Sequence, residues 1–354
     1  VHPLRRPNPF LLAILVAAAV ATVAFALAPG GGSDRPPHVA GIDDPGVAPA
    51  ASRPHSGPLG PVNDTRLDAQ EAADAAMQKP TAAGLRSEVQ PLSPRAFHAP
   101  VARYRHYAIG QARAMAVAVG ALVGALRSGD RAAARAAWLR AYDRYMRLGA
   151  AYGALGDLDQ AIDGSAGGLP RGVRDPHFTG LHRIEHDLWT GRPTAAIVPY
   201  ARRLRADVGR LPRKLARMAI APLDYATRAH EILEDAQRDQ LSGAAAPWSG
   251  AGVVATAGDL AATREVIATL RGVLSGRGET LPPVEYGLQA FGAQLRAIRR
   301  AHGGRLPTQD ALRQREREAL DGSLGALLEA LSGVPGDLET QLPPAIPAIP
   351  KAHR

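Results

Sequence analysis

Residues 104–127 read YRHYAIGQARAMAVAVGALVGALR, and the next three, Ser128-Gly129-Asp130, break the pattern. Ala108, Met115, Val119, Leu122 and Leu126 recur at intervals of three, four and seven residues, which places them on one face of a helix. Ser-Gly is a helix stop, and an Asp just before the next apolar-periodic run is a good N-cap. A second helix is therefore expected from Asp130 to about Tyr152, with Trp138, Tyr142, Tyr145 and Leu148 on one side. The same punctuated pattern continues downstream. It predicts helices at 180–189, 195–219, 223–241, 253–275, 284–302 and 309–332, separated by Pro193, Pro222, Pro247 and Pro282-Pro283. Residues 153–176, rich in Gly and Pro, read as irregular. Sustained alternation of the strand type is missing. The expected fold class is all-α: two packed antiparallel helical bundles between about Arg95 and Glu339.

Composition agrees. The chain has 354 residues, 46% hydrophobic and only 5% aromatic, and Ala, the best helix former, is its most frequent residue. There is no Cys, which excludes disulfides, Cys-ligated zinc, iron–sulfur clusters, thiol nucleophiles and a lipidated N-terminal Cys. The formal charge is +9. Lys occurs only at 79, 214 and 351, so nearly all the positive charge is Arg. The Arg residues are scattered among Asp and Glu rather than gathered in a basic run with aromatics, and no nucleic-acid partner is expected.

Four regions follow. Arg5 and Arg6 precede an uncharged apolar stretch, Phe10–Ala28, so residues 1–28 read as a signal peptide or an N-terminal membrane anchor. Membrane contact through residues 10–28 is expected if the segment is uncleaved, with the rest of the chain exported to a periplasmic or cell-surface location. Residues 29–94 are a Pro/Gly/Ala-rich linker, residues 95–340 the helical domain, and residues 341–354 a Pro-rich tail that builds no core.

The stretch richest in chemistry is Asp175-Pro-His-Phe-Thr-Gly-Leu-His-Arg-Ile-Glu-His-Asp-Leu-Trp189. On a helix, His182, Glu185 and His186 project to one side. An imidazole and a carboxylate one turn apart can chelate a metal ion, and such N/O donors suit iron, zinc, manganese or copper. A second candidate face carries His230, Glu231 and Glu234 in Arg228-Ala-His-Glu-Ile-Leu-Glu234. A surface ion pair uses the same spacings. His182-Arg-Ile-Glu185-His186 also fits the H-x-x-E-H letters of inverted zinc peptidases, in which Glu185 would be the base and Glu265 or Glu231 a third ligand. That alternative sits poorly with an all-α chain. Because a ligating His must be neutral, metal affinity is expected to fall below about pH 6.

Gly180-Leu-His182-Arg-Ile-Glu185-x-x-Leu188-Trp189 resembles the G-x-H-x-x-E signature of the imelysin-like family, and within it the EfeO/EfeM group. The similarity spans about Arg95 to Leu331. It includes Ala150-Ala-Tyr152-Gly-Ala-Leu-Gly-Asp157-Leu-Asp159, Asp175-Pro-His-Phe178 and Leu260-Ala-Ala-Thr-Arg264-Glu265. The resemblance implies two helical bundles and an extracytoplasmic metal-binding component of an iron uptake system. It also implies a His182/Glu185 ligand pair, a divalent or trivalent ion (iron first, zinc or copper next), and an iron permease and a peroxidase as system partners. A zinc-dependent peptidase, or a scaffold without metal that binds a polysaccharide or protein, are the alternatives it leaves. Two departures stand out. Residues 29–94 are too short and Pro-rich for the cupredoxin domain of longer members. Tyr145-Met146-Arg147 stands where the group commonly has Tyr-Glu-Arg, which substitutes a thioether for a suspected carboxylate ligand, with Asp143, Asp157 or Asp159 as replacements.

Overall fold

The computed structural model describes residues 90–340 apart from Tyr152. The expected export segment, most of the expected linker and the expected tail lie outside these residues. Every regular element among the described residues is helical, as anticipated. The α-helices are α1 (His98–Arg127), α2 (Arg131–Met146), α3 (Asp157–Asp163), α4 (Gly180–Trp189), α5 (Thr194–Ala216), α6 (Pro222–Asp235), α7 (Gly252–Leu274), α8 (Leu281–Ala301), α9 (Gln314–Ser332) and α10 (Val334–Asp337).

Helices α1, α2, α4 and α5 pack as one bundle, with α3 wedged against α4 and α5. Helices α6, α7, α8 and α9 form the second. Helix α7 also lies along α1 and α2, so it belongs to both layers. The interior is one apolar cluster running through both bundles. Helix α1 is long and apolar enough to cross a bilayer by length and composition alone. Its Tyr104, Met115, Val119, Leu122 and Leu126 are nevertheless sealed inside the cluster, in the face that periodicity assigned to the core. Asp130 caps α2 as anticipated, accepting from the Ala133 amide at 2.9 Å.

Three boundaries differ from expectation, each for a local reason. Helix α2 ends at Met146 and gives way to a tight turn at Gly149–Ala151. There the chain passes beneath α6 so closely that a Cβ on Gly149 would sit 2.8 Å from Cγ1 of Ile232. The Tyr104 hydroxyl holds this turn, donating to the Leu148 carbonyl at 2.8 Å and accepting from the Ala150 amide at 2.9 Å. Helix α6 stops at Asp235 and continues as a π-helical turn, Ala236–Gln240. Helix α9 begins at Gln314 rather than Gln309, after a separate turn at Gln309–Ala311.

The larger correction is α3, which lies inside the segment read as irregular. Leu158 and Ile162 are four residues apart and both buried. Asp157 and Asp159 occupy its first turn, where carboxylates favour a helix N-terminus. A short amphipathic helix of about two turns can form between glycines once tertiary packing covers its apolar side.

Candidate metal centre

The junction of α3 and α4 places the signature residues. Gly180 has φ +80°, and a Cβ there would lie 2.3 Å from the Ile162 carbonyl oxygen. Only glycine tolerates both the dihedral and the contact. The first turn of α4 is thereby set against the last turn of α3, and His182 faces Asp163.

The two ring nitrogens of His182 have different partners. Nδ1 is 2.9 Å from Glu185 Oε2, one turn along the same helix. Nε2 is 3.3 Å from Asp163 Oδ1. His182 is 5% exposed and Glu185 0%. Burial works against charge on the imidazole, but the Asp163 and Glu185 carboxylates outweigh it and raise the His182 pKa to about 10. The ring is therefore an imidazolium at neutral pH.

Glu185 is fully engaged. Its other oxygen, Oε1, accepts from the Ser249 amide at 2.8 Å, the Ser249 hydroxyl at 2.7 Å and the Trp248 amide at 3.2 Å. It thus ties α4 to the loop that leads into α7. Above His182 lies the edge of the Tyr142 ring, centroids 5.7 Å apart. The Tyr142 hydroxyl donates to Gln240 Oε1 at 3.2 Å, and Gln240 Nε2 donates to the Met146 sulfur at 3.5 Å. The π-helical turn after α6 is what carries Gln240 into this position.

Two further carboxylates belong to the neighbourhood. Tyr145 donates its hydroxyl to Asp159. Asp259, on α7, is 3% exposed, and its Oδ2 meets no hydrogen-bond donor. Burial raises the Asp259 pKa well above the usual carboxylate range, with the nearby charges of Asp235, Asp163 and Asp143 adding to it. Burial likewise raises the Tyr142 pKa, reinforced by the charges of Asp163, Glu185 and Asp259. The adjacent Gly258 allows the approach: a Cβ there would be 2.7 Å from that of Met146. Asp163 Oδ1 is also buried, with Nε2 of His182 facing it at 3.3 Å.

The remaining candidates are placed elsewhere. His186 Nδ1 pairs with Asp187 at 2.9 Å, and its ring meets the edge of Trp248 at 5.1 Å. Asp187 in turn holds Arg183 at 3.0 Å, and Arg183 lies over the Tyr200 ring at 4.3 Å. His230 faces Glu234 at 3.5 Å along α6, and Glu231 pairs with Arg228 at 2.8 Å, all partly in solvent. Of the suggested replacements for the missing carboxylate, Asp143 is taken by Arg147 at 3.0 Å and Asp159 by Tyr145. Among the described residues, no three His, Asp or Glu side chains already stand where they could hold a metal ion.

Sequence reasoning missed Asp163 and Asp259. Asp163 sat in the segment read as loop. Asp259 lies in the middle of an apolar helix, Gly252–Leu274, and a lone Asp at a core position was the clue.

Comparison with known proteins agrees with the resemblance. Residues 100–275 match the model of the imelysin family (peptidase M75). The chain is 25% identical over 239 residues to the iron uptake system component EfeO of Escherichia coli (strain K12), and likewise to those of Shigella flexneri and Escherichia coli O157:H7. Each match covers 67% of this chain and 63% of the relative.

Proposed function

We propose that this chain binds a metal ion as cargo, iron first among the candidates, as a component of an iron uptake system. The observation that carries the reading is the imbalance of buried charge around His182. Asp163 and Glu185 both face His182, at 3.3 Å and 2.9 Å; Asp163, Glu185 and Asp259 all act on Tyr142; among the described residues no Lys or Arg forms an ion pair with any of the three, and Asp259 Oδ2 is buried without a donor. Buried carboxylates are normally paired or ligate a metal. A cation beside His182 would be balanced by these carboxylates, and imidazole plus carboxylate suits iron, zinc or manganese. The names of the EfeO relatives point to iron among these.

Hydrolysis is the weaker reading. A peptidase would use Glu185 to activate water, but both of its oxygens are already occupied by His182 and the Trp248–Ser249 backbone. The rest of the proposal concerns the whole protein. It has residues 95–340 as the metal-binding domain and residues 1–28 as the means of export or attachment. A permease and a peroxidase are the system partners.

Calorimetric titration of the full chain with Fe(II), Fe(III), Zn(II) and Cu(II) tests the reading. Micromolar or tighter binding that disappears in His182→Ala supports it. Absence of binding to every ion sinks it.

A further inference from the structure

We propose that the outer face of α1 and α5 docks on an anionic phospholipid bilayer, with the α5 cations against the phosphate headgroups and the apolar outer side of α1 beside them. This goes beyond the metal-cargo reading and does not depend on it.

The fold segregates a charge that looks dispersed along the chain. Helix α1 has four Arg and no acidic residue, and residues 194–217, which are α5 and its C-cap, have seven Arg and Lys and a single Asp. Together they carry more net charge than the +9 of the whole chain, so the remainder is close to neutral. The two helices are packed neighbours. The first turns of α1 lie at the end of α5, where Arg105 donates to the Met218 carbonyl at 2.7 Å. All seven cations from Arg202 to Arg217 are exposed. Of these, among the described residues, only Arg210 has an acidic partner, the buried Asp207. Basic side chains in a last turn suit the helix dipole, which accounts for Arg213 and Lys214. It does not account for Arg202, Arg203 and Arg205 in the middle of α5.

The extent and chemistry of this face select a bilayer. It runs along a 23-residue helix, about 34 Å, far longer than a small anion needs. The Tyr residues of α1 and α5 are buried or half-buried, so the face lacks the stacking platforms of a single-strand nucleic-acid site and the aromatic anchors of a protein interface. Helix α1 turns an apolar side outward: Val117 is 75% exposed, and only 39% of the helix's most apolar stretch is buried. Basic residues beside exposed apolar surface are the composition of an interfacial membrane contact, and clustered Lys and Arg are drawn to anionic headgroups. At the end of α5, Arg213, Lys214 and Arg217 line one hollow of about 470 Å³, which offers three cations to a headgroup phosphate. Attachment through residues 1–28, as proposed above, would hold the domain at such a surface.

The test is co-sedimentation of the full chain with vesicles of phosphatidylcholine alone and with phosphatidylglycerol added. Anionic vesicles should bind at least about tenfold more tightly, with the preference fading at high salt. Arg202→Gln, Arg205→Gln, Arg213→Gln and Arg217→Gln together should abolish the preference. The same loss of four exposed charges from the second bundle, Arg299→Gln, Arg300→Gln, Arg305→Gln and Arg315→Gln, should change it less than about threefold. Equal binding to both vesicle types, or equal losses in the two variants, overturns the proposal. Because the chain has no Cys, Val117→Cys gives a single attachment point for an environment-sensitive dye. A blue shift on anionic vesicles is expected there and not at Glu329→Cys on α9; no shift at position 117 overturns the placement of α1. Salt-sensitive capture by polyglutamate without a preference among vesicles assigns the face to an acidic protein and overturns the bilayer. A chain that binds no metal yet prefers anionic vesicles supports this inference while the metal-cargo reading fails.

Discussion

Helices α4 and α6 both carry a His and a Glu about one turn apart, yet they differ in almost every physical respect. His182 and Glu185 are sealed between α3, α2 and the loop into α7. His230 and Glu234 look into solvent from α6, where Glu234 is 53% exposed. The buried pair is over-determined: every oxygen of Glu185 has a partner, and the far nitrogen of His182 meets another carboxylate. The exposed pair touches little beyond itself at 3.5 Å. Spacing makes both pairs possible, and burial decides which one matters. In water such an ion pair is worth no more than about 1 kcal/mol. In the interior, the same two groups form a buried, charge-assisted pair.

The sharpest way to break the comparison is to truncate each His in turn. His182→Ala is expected to reduce metal affinity at least a hundredfold by calorimetry, while His230→Ala should change it less than threefold. Equal losses would place both helices at one site. The next largest effect is of pH. With the His182 pKa near 10, metal competes with a proton throughout the neutral range. Apparent affinity should therefore rise about tenfold per unit between pH 6 and 9, with close to one proton released per ion. Titrations in buffers of different ionisation enthalpy measure that release directly, and a flat profile would contradict it. Stability of the metal-free chain should move the opposite way. A His whose pKa is raised on folding stabilises fully below its unfolded value of about 6.5, and that contribution is lost as pH rises through about 10.

A smaller, purely mechanical effect is expected at the junction that creates the buried pair. Gly180→Ala forces a Cβ into the Ile162 carbonyl at a positive φ. Strain of this kind costs about 1–3 kcal/mol, so Tm should fall by roughly 2–12 °C, and affinity should fall too because His182 is pushed from Asp163. Gly153, also at positive φ, has only the tip of the Arg228 side chain nearby at 3.4 Å, so a Gly153→Ala melt gives the cost of the dihedral alone. The smallest effect belongs to α6: Glu234→Gln should shift stability by less than about 0.5 kcal/mol, within a degree or two in a melt.

Much of the fold was legible because helices announce themselves locally. The face of α1 from Ala108 to Leu126, the Asp130 cap and the proline boundaries all act within a turn or two of sequence. The signature Gly-x-His-x-x-Glu was legible for the same reason, as residues three apart on one helix must be neighbours. Helix α3 was not, because Leu158 and Ile162 are too few to define a period, and only the walls of α4 and α5 make the turn worth forming. The roles of Asp163 and Asp259 were hidden for a related reason. An Asp in a Gly-rich segment reads as a turn, and an Asp in an apolar helix reads as an exception. Their meaning depends on what faces them, from 19 and 77 positions away along the chain from His182.

By itself, then, the amino-acid sequence determined that this protein is a pair of helical bundles and that His182 and Glu185 share a helix face. Periodicity, capping and adjacency are properties of the chain as it passes. Only the tertiary structure decided which of the acidic residues accompany His182 and what each oxygen is free to do. Those answers depend on Gly180 and Gly258 letting distant backbones approach, and on which buried carboxylates are left without a donor once they have.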